Sequence, residues 1–387
     1  MNLVQDIADA HPELIGWRRT LHAMPETGFE EFRTADFVDA KLKEFGIETK
    51  RGMATTGVVG TLSAGSSGKT IALRSELDAI NLQEANDFAH RSTVDGKMHG
   101  CGHDGHMTML LAAARHLART RDFDGTVHFI FQPAEEVGNG GLRMIEDGLF
   151  EAIRPEAVYG MHNFPGIPVG QFATRPGDFM ASLDAFDITI EGVGGHGAYP
   201  SKARTPILPA CAIVSALNEH VASQIPSEET MSLSVAQLNA GSAINVIPAS
   251  ANIKGTVRSL GEAAQLEMEA AVERIAKGIC GAYGVDCTVS YQRTYPRLVN
   301  AARETASAID AAAAVVGADN VDSNGKPMMA SEDFAWMLRE KPGNYIAIGN
   351  GIGDKGGTFV HHPKYDFNDD ILPIGASYWV SLVRRLL

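Results

Sequence analysis

The alternation of helical and strand-like segments constrains the fold of this chain more than any other feature. Two early segments, residues 14–22 and 34–45, carry apolar residues at spacings of three and four, as amphipathic helices do. A third helical segment covers residues 106–118. Short apolar runs that are typical of buried strands lie at residues 58–62, 70–73, 126–131 and 157–161. Strands that alternate with helices predict a mostly parallel sheet covered by helices, and hence an α/β fold.

The pattern changes near residue 183 and returns after Pro296. Between these points the predicted order is β-α-β-β-α-β, the split βαβ arrangement of a small open-faced sandwich. The last segment, residues 372–387, again has helical periodicity. We therefore predict one α/β domain built from residues 1–182 and 294–387, interrupted by an inserted α+β domain at residues 183–293.

Charge and hydropathy limit the partners of the chain. Acidic residues outnumber basic ones 47 to 33, and the formal net charge of −14 opposes binding to nucleic acid or to an anionic membrane surface. No apolar run approaches the roughly 18 to 20 residues of a membrane span, and acidic residues stand where a secretory signal would be apolar. The four irregularly spaced cysteines argue against a disulfide framework. We expect a soluble, cytoplasmic protein.

Four short segments carry residues that bind metals. Residues 98–106 place a cysteine and several histidines among glycines directly before a helix. The other segments are a glutamate pair at 135–136, a Met-His-Asn run at 161–163 and a histidine pair at 361–362. We expect them to meet beyond the carboxyl ends of the strands, where ligands collect in open α/β sheets. Together they offer at least five ligands, more than one zinc takes from protein, which predicts two metals with a shared ligand.

The order of the motifs resembles that of a known superfamily. It runs Cys-Gly-His-Asp-x-His, Pro-x-Glu-Glu, Met-His-Asn, Gly-Gly-His, Asn-Val-Ile-Pro, Ser-Glu-Asp-Phe and His-x-Pro-x-Tyr-Asp. This order is similar to that of the di-metal aminoacylases and carboxypeptidases, and the branch it most resembles contains hippurate hydrolases and indole-acetyl-amino-acid hydrolases. The resemblance extends from Trp17 to Asp369, so it covers nearly the whole chain.

The resemblance implies a role for each matching residue. Glu135 matches the general base that later acts as general acid, and Asp78 matches an acid that orients the site. The cofactors implied are two divalent ions, which could be zinc, manganese, cobalt or nickel. The matching metal ligands are Cys101, His103, Glu136, His162 and His361.

The inserted domain carries the remaining matches. The resemblance implies that it serves as a lid and joins two subunits, and that His196 steadies the oxyanion in the partner subunit's site. Asn245 and Arg258 match residues that hold the substrate. The chain departs from the branch at Glu76, where aspartate is usual, and at Ser201 and Thr205, where histidine and aspartate are common. These departures affect the expected substrate preference and leave the metal ligands intact.

These matches predict a metal-dependent amidohydrolase that splits N-acyl amino acids by means of a metal-activated water with Glu135 as general base. A dipeptidase or carboxypeptidase of the same superfamily is the alternative within this class. A metal-holding binding protein without catalysis is the alternative from a different class, although it would not need Glu135. The acyl group, the preferred amino acid, its handedness and the native metal stay open.

Overall fold

A computed structural model describes residues 1–387 of the chain. The chain divides into two compact units: the first comprises Met1–Phe179, Val299–Lys326 and Asp333–Leu387, and the second comprises Met180–Leu298 and Pro327–Glu332. The domain boundaries predicted from the sequence place residues 327–332 outside the inserted domain. They belong to the second unit because the amide of Ala181 donates to the carbonyls of Met328 and Ala330 at 3.0 and 3.1 Å.

The chain forms sixteen strands and eleven α-helices. The strands are β1 Glu48–Met53, β2 Gly57–Ala64, β3 Thr70–Glu76, β4 Gly125–Gln132, β5 Ala157–Pro165, β6 Phe172–Ala173, β7 Gly177–Met180, β8 Leu183–Glu191, β9 Gly195–His196, β10 Met231–Ala240, β11 Val246–Ile247, β12 Ser250–Ser259, β13 Asp286–Tyr295, β14 Leu298–Asn300, β15 Val321–Asp322 and β16 Gly343–Gly351. The helices are α1 Gln5–Asp9, α2 His11–Ala23, α3 Phe32–Glu44, α4 His103–Thr120, α5 Gly140–Glu146, α6 Leu149–Ile153, α7 Ile207–Gln224, α8 Glu262–Tyr283, α9 Ala302–Val316, α10 Phe334–Glu340 and α11 Leu372–Leu386.

An eight-stranded sheet forms the centre of the first unit, with the order β1-β2-β4-β3-β5-β16-β6-β15. Its middle strands β4, β3, β5 and β16 are parallel to their neighbours within this group, whereas β1 and β2 add antiparallel pairings at one edge. All residues of β16 and nearly all of β5 are buried, as expected for parallel strands covered on both faces. The predicted α/β fold is confirmed.

Helix α4 occupies the core of the first unit and begins at the candidate site. It packs against α2, α11 and strand β3, and its side chains are buried along almost its whole length. Gly102, directly before the helix, has φ +93°, and a Cβ there would lie 2.3 Å from Asn163 Oδ1. Only glycine suits this turn, which places His103 as the first residue of α4.

The second unit contains residues 183–293, the segment predicted as an inserted domain. Its main sheet is antiparallel with the order β10-β12-β8-β13. Strand β8 alternates between half-buried and buried residues, so one face of the sheet is buried. Helices α7 and α8 contribute Ile213, Leu217, Met268 and Val272 to the core under that face. A separate two-stranded pairing joins β9 to β11.

One local prediction needs correction. The Met-His-Asn segment was expected at the end of a strand, but His162 lies inside β5, paired with Ala347 of β16. The strand continues to Pro165 because β16 supplies backbone partners beyond the apolar run. None of the helices combines the length and the apolar composition that are needed to span a bilayer.

Candidate metal centre

Three buried side chains from two elements of the first unit converge at the start of α4. Cys101 and His103 flank Gly102, and His162 comes from strand β5. Cys101 Sγ lies 3.3 Å from His162 Nε2, and one ligand atom from each of the three residues lies within 4.8 Å of the others. Each side chain is at most 8% exposed.

Two further candidate ligands reach the same place from loops. Glu136 follows strand β4 and His361 lies in the loop between β16 and α11. Glu136 Oε1 lies 3.1 Å from His361 Nε2, and both form a second close group with Cys101. The two groups therefore share Cys101. The structure thus brings together all five residues that the resemblance matched to metal ligands.

The Nδ1 hydrogen bonds of two histidines fix which ring nitrogen could bind a metal. His103 Nδ1 donates to the carbonyl of Asp78 at 2.8 Å, and His162 Nδ1 donates to the carbonyl of Asn163 at 2.7 Å. In each ring the lone pair is then on Nε2. His103 Nε2 is buried and has no hydrogen-bond partner. A backbone carbonyl that fixes the tautomer of a histidine in this way is typical of metal-ligating histidines.

The electrostatics of the cluster favour a bound cation. Burial and the nearby carboxylates of Glu136 and Glu135 raise the pKa of the Cys101 thiol well above its usual value. Burial opposes a charge on His103, but Asp78 and Glu76 outweigh it and raise the pKa of His103 to about 10. These carboxylates favour positive charge at this point. A divalent ion would supply that charge and hold the thiolate, so the donor set fits a metal.

Glu135 lies beside these ligands in a turn that begins the loop after β4. It is 7% exposed and forms a close group with His103 and Glu136. Asp78 supports the same turn, since its Oδ2 accepts from the amide of Glu136 at 3.0 Å. The backbone carbonyl of Asp78 thus contacts the side chain of His103, and the side chain of Asp78 contacts the backbone of Glu136.

A buried polar network surrounds the cluster. His106 Nδ1 lies 2.9 Å from Glu76 Oε2, and Glu76 also forms an ion pair with Arg74. The opposite ring nitrogen of His106 lies 2.8 Å from Asn163 Oδ1, whose amide group donates to Tyr365 Oη at 2.6 Å. Glu76, which is one methylene longer than the usual aspartate, therefore fits here as the partner of Arg74 and His106.

The three remaining predicted site residues belong to the second unit. His196 of β9 pairs with Val246 of β11, and the amide of Gly197 donates to the carbonyl of Asn245 at 2.8 Å, so His196 and Asn245 are neighbours. Arg258 lies near the end of β12. Its guanidinium donates to the carbonyl of Met329 at 3.1 Å and to Ser331 Oγ at 2.9 Å.

Comparison with known proteins identifies the family of the chain. Residues 72–385 match the family described as peptidase family M20/M25/M40. The chain belongs to this family. It is 38% identical to hippurate hydrolase of Campylobacter jejuni over 387 residues, which cover 100% of both chains. It is 35% identical to thermostable carboxypeptidase 1 of Saccharolobus solfataricus, with 97% of each chain covered.

A solved structure agrees with this assignment to the M20 family. The crystal structure of a dinuclear metal binding peptidase of the M20 family from Bacillus subtilis superimposes with a TM-score of 0.84 and 31% identity, covering 97% of this chain and 98% of that chain. The chain is therefore an M20 hydrolase, and the predicted membership in the aminoacylase and carboxypeptidase superfamily is confirmed.

Sequence reasoning about this M20 hydrolase missed several residues around the centre. His106, Asn163 and Asp333 stand in the quoted motifs without an expected role, and Glu31 lies outside these motifs. Asp333 Oδ2 accepts from the amide of Gly141 at 2.9 Å, and Glu31 Oε1 accepts from the amide of Ala134 at 2.9 Å. Asp333 also accepts from the side chains of Arg74 and Gln132, and Glu31 accepts from Thr56. The sequence carries no pattern for such contacts between distant segments.

Proposed function

We propose that the protein hydrolyses the amide bond of N-acyl amino acids at a centre of two divalent metal ions. Cys101, His103, Glu136, His162 and His361 are the proposed ligands. The observation that carries this proposal is the convergence of these five donors beside Glu135, with the buried Nε2 of His103 left without a partner. Bound divalent ions would polarise the scissile carbonyl and make a water molecule more acidic.

Glu135 is the proposed proton carrier. Its position beside the donor cluster suits a carboxylate that takes a proton from the attacking water and passes it to the nitrogen of the leaving amino acid. Asp78 keeps His103 in the tautomer that presents Nε2, because its carbonyl accepts from Nδ1.

Arg258 and Asn245 are proposed to hold the substrate, with Arg258 on its carboxylate. Arg258 is half-buried, and burial lowers its pKa with no carboxylate acting against it. Its two bonds go to neutral oxygens, so its charge lacks an anionic partner. In a chain with a net charge of −14, such a cation suits an anionic substrate group.

We further propose that two subunits associate through the inserted domain and that His196 of one subunit stabilises the oxyanion at the partner's site. The second unit exposes several large apolar side chains, which favours association with another surface. They are Tyr199 at 59%, Leu238 at 42%, Ile244 at 109% and Val246 at 53%. His196 itself is exposed, so it is available to a second subunit.

Activity on a substrate panel tests the proposal. N-benzoyl, N-acetyl and indole-acetyl amino acids are compared with dipeptides that have a free amino group, each with zinc, manganese, cobalt and nickel. We expect release of the free amino acid from at least one N-acyl compound at a higher rate than from the matched dipeptide. The likeness to a carboxypeptidase makes peptide cleavage the second candidate. Faster turnover of the free-amino dipeptides would favour it, and no turnover of any compound would contradict both.

A further inference from the structure

Ala134, the residue before Glu135, adopts a left-handed backbone conformation that costs energy for most residues with a side chain. Its φ is +51°, and it is fully buried. Its Cβ fits only because glycines stand opposite: a Cβ on Gly28 would lie 2.9 Å from it, and one on Gly138 would lie 2.8 Å from it. A residue in this conformation persists only when its surroundings hold it there.

The carbonyl of Ala134 accepts from the amides of Gly138 and Gly140 at 3.1 Å, and Glu31 supplies the contact to its amide. The amide of Ala134 donates to Glu31 Oε1 at 2.9 Å, and the hydroxyl of Thr56 donates to Glu31 Oε2 at 2.6 Å. Both oxygens of this fully buried carboxylate are therefore engaged. Thr56 fixes the carboxylate from one side, so Glu31 presents an acceptor to Ala134 at a defined position.

Asp78 provides a matching contact on the other side of Glu135. Its Oδ2 accepts from the amide of Glu136 at 3.0 Å. The two amides that flank Glu135 are thus both bound by buried carboxylates, one from Glu31 and one from Asp78. A shift in the backbone of either neighbour would displace the Glu135 side chain from the donor cluster.

We propose that Glu31 is a positioning residue that holds the strained turn at Ala134 and thereby sets the place of Glu135. This inference rests on the proposed function, since it assigns Glu135 the proton transfer. Glu31 belongs to none of the close groups of candidate ligands, so its removal acts on Glu135 through the backbone. The inference predicts a loss in turnover without a loss in substrate binding.

The experiment compares four variants with the wild type. Glu31→Ala removes the acceptor. We expect kcat to fall by about 10- to 100-fold, because small displacements of catalytic groups cause losses of this size. KM and metal content should stay unchanged. Glu31→Gln can accept from Ala134 and donate to Thr56, so it should stay within about threefold of the wild type. Thr56→Val, a milder change, should lower kcat by a smaller factor. Glu30→Ala is the control, because Glu30 is exposed and pairs only with Lys97 and Thr27.

A second-site change tests the strain directly. Glycine tolerates a positive φ. The double variant Glu31→Ala with Ala134→Gly should therefore have a kcat at least about threefold higher than that of Glu31→Ala alone. Amide hydrogen exchange in residues 133–138 should be faster in Glu31→Ala and unchanged in Glu31→Gln. The exchange measurement does not need a substrate, so it still decides the role of Glu31 if the proposed function fails.

Two results would overturn the inference. One is a Glu31→Ala variant with wild-type kcat and wild-type exchange in residues 133–138. The other is a loss of kcat in Glu31→Ala that is matched by an equal loss in Glu31→Gln and that is not reduced when Ala134→Gly is added to Glu31→Ala. If Glu31→Ala does not fold, the same decision rests on Thr56→Val, where unchanged kcat and exchange would contradict the role.

Discussion

Glu136 Oε1 lies 3.1 Å from His361 Nε2, although 225 positions separate the two residues in the chain. Glu136 follows a central strand and His361 lies in a late loop with φ +62°. The His361 contact helps to keep the pKa of Glu136 below its usual value against the opposing effect of burial. The pair would offer a carboxylate and an imidazole to the proposed cation.

The adjacent glutamates should respond differently to the same substitution. Glu136→Gln removes a proposed ligand, so we expect metal content to fall together with activity. Glu135→Gln keeps the shape of the side chain but removes the base, so turnover should fall by roughly 10² to 10⁴ while metal content stays near normal. Elemental analysis and initial rates on the same preparations check both. The reverse pattern would exchange the two roles.

Arg258 should determine the preference for a free carboxylate. A charge-assisted hydrogen bond contributes roughly 1.5 to 3 kcal/mol, so Arg258→Met should lower kcat/KM for N-acyl amino acids by about 10- to 100-fold. The matching carboxamides should be poor substrates for the wild type and nearly unaffected by the substitution. Equal ratios of activity on acid and amide in both proteins would show that Arg258 does not bind the carboxylate.

Mixed dimers should reveal whether His196 acts across subunits. Glu135→Gln and His196→Ala chains should each be inactive alone. A heterodimer would combine an intact Glu135 in one subunit with an intact His196 from the other, so mixing should restore activity at one of its two sites. Failure to recover activity in purified heterodimers would refute the exchange of His196 between subunits.

His128 should make the fold sensitive to acid. Burial lowers the pKa of His128 from 6.5 to about 4, so the unfolded chain binds a proton at a higher pH than the folded one does. Its contribution to stability is therefore lost as the pH falls from about 6.5 to 4, by about 3 kcal/mol in all. His128→Gln keeps a partner for Thr61, which lies 3.0 Å from Nδ1, and removes the titration. Urea unfolding at several pH values should show that the free energy of unfolding falls less between pH 6.5 and 4 in the variant than in the wild type. An equal fall in both proteins would contradict this.

Local patterns predicted most of the elements because they reflect local physics. The β-α-β-β-α-β order predicted for residues 183–293 is the order of β8, α7, β10, β12, α8 and β13, and burial alternates along β8 as in a half-buried strand. The position of His162 inside β5 could not be predicted, because β16, which extends the pairing, lies far away in sequence.

The candidate ligands were found in the sequence because Cys, His and Glu keep their chemistry wherever the chain places them. Among the residues that support them, Asp78 was expected from the resemblance, whereas Glu31 was not, because it acts by accepting a hydrogen bond from the backbone of a distant segment. The sequence does not show which member of the Glu30-Glu31 pair is buried. In the folded chain Glu30 is exposed and Glu31 is fully buried. Such contacts depend on how the folded chain packs.

The most direct test of the account is the rate of hydrolysis of the best N-acyl amino acid substrate after exhaustive chelation and after the return of a divalent metal. If the cluster around Cys101 is a catalytic metal centre, chelation should abolish release of the free amino acid, and added metal should restore it. Undiminished turnover in a preparation that elemental analysis shows to be free of metal would contradict the account.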